Sequence, residues 1–174
     1  MEEKSVSTIP STPVPQDFPP DVYKWMKNNA EPKKALKLMK VCKYFQHKNG
    51  FPYLVVKNVT SCGNIWIYQT LDGQKHDFQR IEDIPKKFWI TEELELVIGQ
   101  NVASILLLKT VVCNIRKLKL DNQIITLNEF KLLTDGGNVE ICDMMLSTIT
   151  DNNGEIVPLE DICECLPNAS KIVL

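Results

Sequence analysis

The stretch ELELVIGQNVASILLLKTVVCNIRKLKL, residues 93–120, decides the reading of the fold. Glu93 to Val97 alternates polar with apolar residues, the period of two that a half-buried strand needs. Val102 to Leu108 is an apolar stretch that reads as helix. Ile115 to Leu120 then returns to alternation, apolar against basic. The unit is therefore strand, helix, strand, and the residues downstream continue it. Thr126-Leu127-Asn128-Glu129 is a capping box, in which the first and last residues each satisfy an orphan backbone donor of the other, so a second helix starts at Thr126. Asn138 to Cys142 reads as a third strand. Asp151-Asn152-Asn153-Gly154 turns the chain, and Pro158 to Leu166 reads as a helix with Glu160 and Asp161 favouring its N-terminus. Lys171 to Leu174 is a last strand. Strand centres near Leu96, Leu118, Ile141 and Ile172 stand about two to three dozen residues apart, the range of strand–helix repeats.

Upstream of that array, Tyr53 to Val59 and Ile65 to Thr70 are β-branched and aromatic around Ser61-Cys62-Gly63-Asn64, the mark of a hairpin. Asp72-Gly73 leads to a short third strand, His76 to Phe78, and helical signals at Ile81 to Ile84 end at Pro85. Residues 18–48 are helical. Pro19-Pro20 and Asp21 suit a helix start, with Val22, Trp25, Met26 and Asn29 forming one stripe. Asn28-Asn29-Ala30 breaks this helix. Pro32 opens the next, whose stripe is Ala35, Leu38, Met39 and Cys42. Residues 1–17 carry Pro10, Pro13 and Pro15 with little large apolar surface, so they are expected to be a disordered tail. The fold class is α+β: tail 1–17, helical module 18–48, and an α/β repeat-like region 51–174.

Phe18-Pro19-Pro20-Asp21-Val22, Pro32, Leu36 and Val41-Cys42-Lys43-Tyr44-Phe45 together resemble an F-box. The whole chain resembles the F-box families expanded in nematodes, in which the helical module precedes a divergent, leucine-rich-repeat-like region. That resemblance implies a role, recruiting a target protein to a cullin–RING ubiquitin ligase. It also implies an interface with the ligase's adaptor subunit made by Phe18, Pro19, Pro32, Leu36, Val41 and Cys42. Such helices dock through a few buried apolar anchors. Phe18 stands where the family usually carries Leu, and Gly50 and Pro52 cut the third helix of the module short. The leucine pattern of the repeats also lacks its Asn or Cys.

The rest of the sequence offers little chemistry. With His47 and His76 the only histidines, no pair has metal-ligand spacing, and Cys163-Glu164-Cys165 is one residue too close for a zinc knuckle. Gly136-Gly137 is a turn without a phosphate-binding motif behind it. The expectation is a protein without an active site, a cofactor or a metal. A net charge of −2 gives no overall pull toward nucleic acid or anionic membrane. Eight lysines between Lys24 and Lys48 keep open a lysine-rich nucleic-acid-binding module, and a scaffold that has lost adaptor binding is the other alternative. The most apolar run, Val102 to Val112, is too short for a membrane span, and the start Met1-Glu2-Glu3-Lys4 is no signal peptide. Cytoplasm or nucleus is the expected compartment, with the six cysteines unpaired. The strand Ile115 to Leu120 points to Arg116, Lys117 and Lys119 as exposed positions on a target-binding sheet face.

Overall fold

The computed structural model describes residues 19–41, 45, 51, 53–97, 99 and 101–174, with backbone alone at 32, 33, 36, 40 and 41. The chain divides into two compact units, one up to residue 51 and one from residue 52.

The first unit holds α1 (Pro20–Asn29) and α2 (Pro32–Val41). Both begin on a proline, whose fixed φ and missing N–H suit a first helical position. The Pro19 carbonyl accepts from the Val22 and Tyr23 amides at 3.0 and 3.4 Å, and the Asn29 side-chain amide donates to the Trp25 carbonyl at 2.8 Å, satisfying an orphan acceptor of the last turn. The apolar face of α1 differs from the expected stripe. Tyr23 is the buried residue, Val22 and Met26 are half-buried, and Trp25 is 67% exposed. The cause is aromatic packing: the Tyr23 ring lies 5.9 Å from Phe45, which stacks on Phe51 at 5.1 Å. Trp25, two residues on, points ~200° away around the helix. In α2, Ala35 is fully buried, with Leu38 and Met39 beside it half-buried, as their spacing requires.

The second unit starts as an antiparallel meander, β1 (Tyr53–Cys62), β2 (Ile65–Thr70) and β3 (Lys75–Phe78), followed by a 3₁₀ turn at Ile81–Asp83. The chain then runs through β4 (Lys87–Val97), α3 (Val102–Lys109), β5 (Thr110–Cys113), β6 (Lys117–Asp121), β7 (Ile124–Thr126), α4 (Leu127–Thr134), β8 (Ile141–Asp143), β9 (Thr148–Thr150), α5 (Leu159–Glu164) and β10 (Lys171–Val173). The large sheet has the order β10-β8-β6-β4-β1-β2-β3, with β5 also pairing β4. From β10 to β1 all neighbours are parallel, and parallel neighbours need a crossover between them: α3, α4 and α5 lie in the connections β4 to β6, β6 to β8 and β8 to β10, while β1 reaches β4 through β2, β3 and the 3₁₀ turn. β7 and β9 form a second, two-stranded parallel sheet.

Each coil lies on the one before it with almost constant register. Glu93 pairs with Lys117 and Lys117 with Ile141. Side-chain contacts accordingly recur at a separation of 24 residues: Lys117 with Glu93, Lys119 with Glu95, Asn138 with Asn114 and Asn128 with Asn152. The last coil is longer, and Ser170 bonds Glu140 across 30 residues. Leu94, Leu96, Leu118, Leu120 and Cys142 face inward and are fully buried, together with Leu106, Phe130 and Leu133 from the crossover helices. At about 25 cal/mol per Å² of apolar surface, this continuous column is the main stabilising term of the unit.

The expected strands are present, but β8 begins at Ile141 rather than Asn138, and Arg116 precedes β6 instead of lying in it. β4 starts already at Lys87. β5, β7 and β9 were not foreseen.

Candidate functional site

Two surfaces follow from the sequence: the helix pair and the outer face of the parallel sheet. On the helices, Pro19 is exposed and caps α1, Pro32 opens α2, Leu36 lies within α2, and Val41 ends it. Phe18, Cys42 and the expected shortening of a third helix at Gly50 and Pro52 lie outside the described residues. Trp25, absent from the expected anchors, is the most exposed aromatic side chain on the described part of α1.

The sheet face is built by alternation. Residues between the buried leucines project to the opposite side, where they form cross-strand rows. One row runs Asn58, Glu93, Lys117, Ile141, Lys171 and the next Thr60, Glu95, Lys119, Asp143, Val173. Val97 and Asp121 pair at the following step. Nearly all of these residues are partly exposed. Lys117 Nζ donates to Glu93 Oε1 at 2.6 Å and Lys119 Nζ to Glu95 Oε1 at 2.7 Å. The hydrogen bond from Lys119 to Glu95, with the Glu95 charge behind it and Asp143 and Asp121 adding to it, holds the Lys119 ammonium above its ordinary pKa. Solvent screens pairs as exposed as these, so they set the charge pattern of the face more than its stability.

Of the three positions picked from sequence, Lys117 and Lys119 do lie on this face, whereas Arg116 sits in the preceding turn and pairs with Glu140 at 3.8 Å. Glu93, Glu95, Asp121 and Asp143 were missed as partners. The signal was present as Glu-x-Glu followed 24 residues later by Lys-x-Lys, legible only once the repeat length is known. Asp143 is distinctive: its Oδ1 is buried and has no hydrogen-bond partner among the described residues.

The coils turn beyond the rows on a polar hinge. Gln123 is buried, and its side-chain amide donates to the Asp121 carbonyl at 3.0 Å and the Asn122 carbonyl at 3.3 Å. Its backbone N–H donates to Ser147 Oγ at 3.0 Å, one coil on. Asn122 and Leu146 adopt the same left-handed conformation, with φ of 54° and 53°.

Among the described residues, no group of three His, Cys, Asp or Glu side chains is gathered to hold a metal ion. Burial, reinforced by Asp135, pushes the Cys113 thiol up to about 12, and burial with Asp143 does the same for Cys142. Both thiols therefore stay protonated near neutrality and behave as small apolar side chains. No described helix is long and apolar enough to cross a membrane.

Comparison with protein-family models, with curated proteins and with solved structures gives no match.

Proposed function

We propose that the chain is an F-box-type adaptor, with α1 and α2 docking on the adaptor subunit of a cullin–RING ubiquitin ligase and the outer face of the parallel sheet holding a target protein. Ubiquitin transfer would belong to the other subunits, and this chain would contribute two binding surfaces. The observation that supports the reading is the helix pair: two ten-residue helices, each opened by a proline, with Pro19 at the cap of the first and Pro32, Leu36 and Val41 on the second. The stacked coils support it from the other side. They give a repetitive sheet face with cross-strand rows of charged side chains, the kind of extended surface that repeat proteins use to hold partners.

The test is a calorimetric titration of the full chain with the ligase's adaptor subunit, repeated with Pro19→Ala/Leu36→Ala. Saturable binding weakened at least tenfold in the variant supports the reading. Absence of binding by a folded chain refutes it and leaves an interaction scaffold without a ligase. Binding that collapses steeply with salt on a nucleic-acid titration would instead favour the lysine-rich stretch as a phosphate-binding element.

A further inference from the structure

The small sheet of β7 and β9 turns an uncharged face outward. Ile125 and Ile149 are buried, so their neighbours Ile124, Thr126, Thr148 and Thr150 point to the other side. Ile156 joins them through its bridge to Thr150, with Val157 buried behind it. None of these five outward residues is charged, and Ile124 and Ile156 are 70% and 77% exposed. Leu146, two residues before β9, adds to the apolar surface at 82% exposure. Its φ of 53° repeats that of Asn122 one coil earlier, a conformation that asparagine tolerates and leucine resists. The coil fixes the backbone at this position, but so exposed a leucine side chain gains little packing within the unit to offset the strain.

Charge decides what can cover this surface. Between Lys131 and Lys171 the chain has eight Asp and Glu and no Lys or Arg. Asp151 directly follows Thr150 and Glu155 directly precedes Ile156, so carboxylates border the uncharged face. Two such faces would bring like charges together, which disfavours pairing of the patch with itself. The opposite pattern stands on the helical unit. From Lys24 to Lys48 there are eight lysines and a single acid, Glu31. There α1 exposes Lys24 next to Trp25, and tryptophan is the side chain most often found as the anchor of a protein contact. Each unit thus carries an exposed apolar group bordered by one sign of charge, and the two signs are opposite.

We infer that the outer face of β7 and β9, with Leu146, docks the exposed side of α1 from a second copy of this chain. Trp25 of one copy covers Leu146 and Ile156 of the other, and Lys24 turns toward Asp151 and Glu155. Apolar burial supplies the affinity, while opposite charge sets the orientation and rejects like faces. The two surfaces are unlike, so copies associate head to tail, and a copy that lacks one surface can still use the other.

The contact is independent of the ligase reading, and its assay contains no adaptor subunit, so the two can fail separately. Light scattering gives the mass of the full chain up to about 100 μM, where micromolar contacts are populated. It is measured for the wild type, for Lys24→Glu/Trp25→Ala, for Leu146→Asn/Ile156→Thr, and for an equimolar mixture of the two variants. The wild type should exceed the monomer mass increasingly with concentration, and each variant alone should stay monomeric. The mixture should associate again, because one variant keeps the sheet face and the other keeps α1. All four substituted side chains are exposed, and Leu146→Asn installs the residue type that already holds this conformation at Asn122, so thermal melts matching the wild type are expected and establish folding. A wild type that is monomeric throughout, variants that associate as the wild type does, or a mixture no heavier than its folded components would each overturn the inference.

Discussion

Gly136 shows how closely successive coils approach. A Cβ at this position would lie 2.7 Å from the Cys113 carbonyl oxygen and 2.8 Å from both Cα and Oδ1 of Asn114, and two of those three atoms are backbone. The neighbouring coil cannot yield as a flexible side chain would. Gly136→Ala is expected to destabilise the second unit by about 1–3 kcal/mol, measured by urea denaturation, as overpacking does elsewhere. From sequence, Gly136-Gly137 reads only as a turn, because the contact that demands the first glycine is to a residue in another coil. Glu129 is a second instructive residue. Burial alone would raise its carboxyl, but hydrogen bonds from the Ser104 hydroxyl and from the Thr126 N–H and hydroxyl outweigh this and hold it below its ordinary value of 4.5. A carboxyl lowered on folding contributes stability that is present above the unfolded pKa and lost as pH falls through the folded one. Glu129→Gln should therefore lower the melting temperature at pH 7, and the difference from wild type should shrink steadily below about pH 5. A difference that is independent of pH would mean that shape, rather than charge, makes the capping box.

The strand–helix coils are separable at the scale of elements, and exposure should decide what a truncation does. Leu118 in β6 is fully buried between Leu94 and Cys142, whereas Leu132 on α4 is 58% exposed. Leu118→Ala should cost ~2–5 kcal/mol and Leu132→Ala less than ~0.5 kcal/mol in denaturant titrations. Comparable losses would show that the outer surface of α4 is covered. The elements most legible in the sequence were those with a local cause. The Thr126–Glu129 box starts α4, and the period of two marks β4 and β6. Prolines start α1 and α2. Elements with a remote cause stayed hidden: β7 and β9 exist because each supplies the other's partner across a coil, with Ile124 to Thr126 in register with Thr148 to Thr150. The buried face of α1 was misplaced for the same reason, since Tyr23 is selected by Phe45, twenty-two residues away in sequence.

The whole molecule combines a short helical unit with a solenoid-like unit whose inner face is apolar and whose outer face is charged. That division was readable in outline, as α+β with helices first and repeats after. The charge map of the outer face was not, because it depends on a 24-residue register that no local pattern reveals. On the proposed reading the helix pair, and not the sheet, meets the ligase. Amide hydrogen–deuterium exchange of the full chain with and without the adaptor subunit tests this most directly. Slowed exchange across α1 and α2, with the amides of β4, β6 and β8 unchanged, is the expected result. Protection confined to the sheet, or none anywhere, would contradict it.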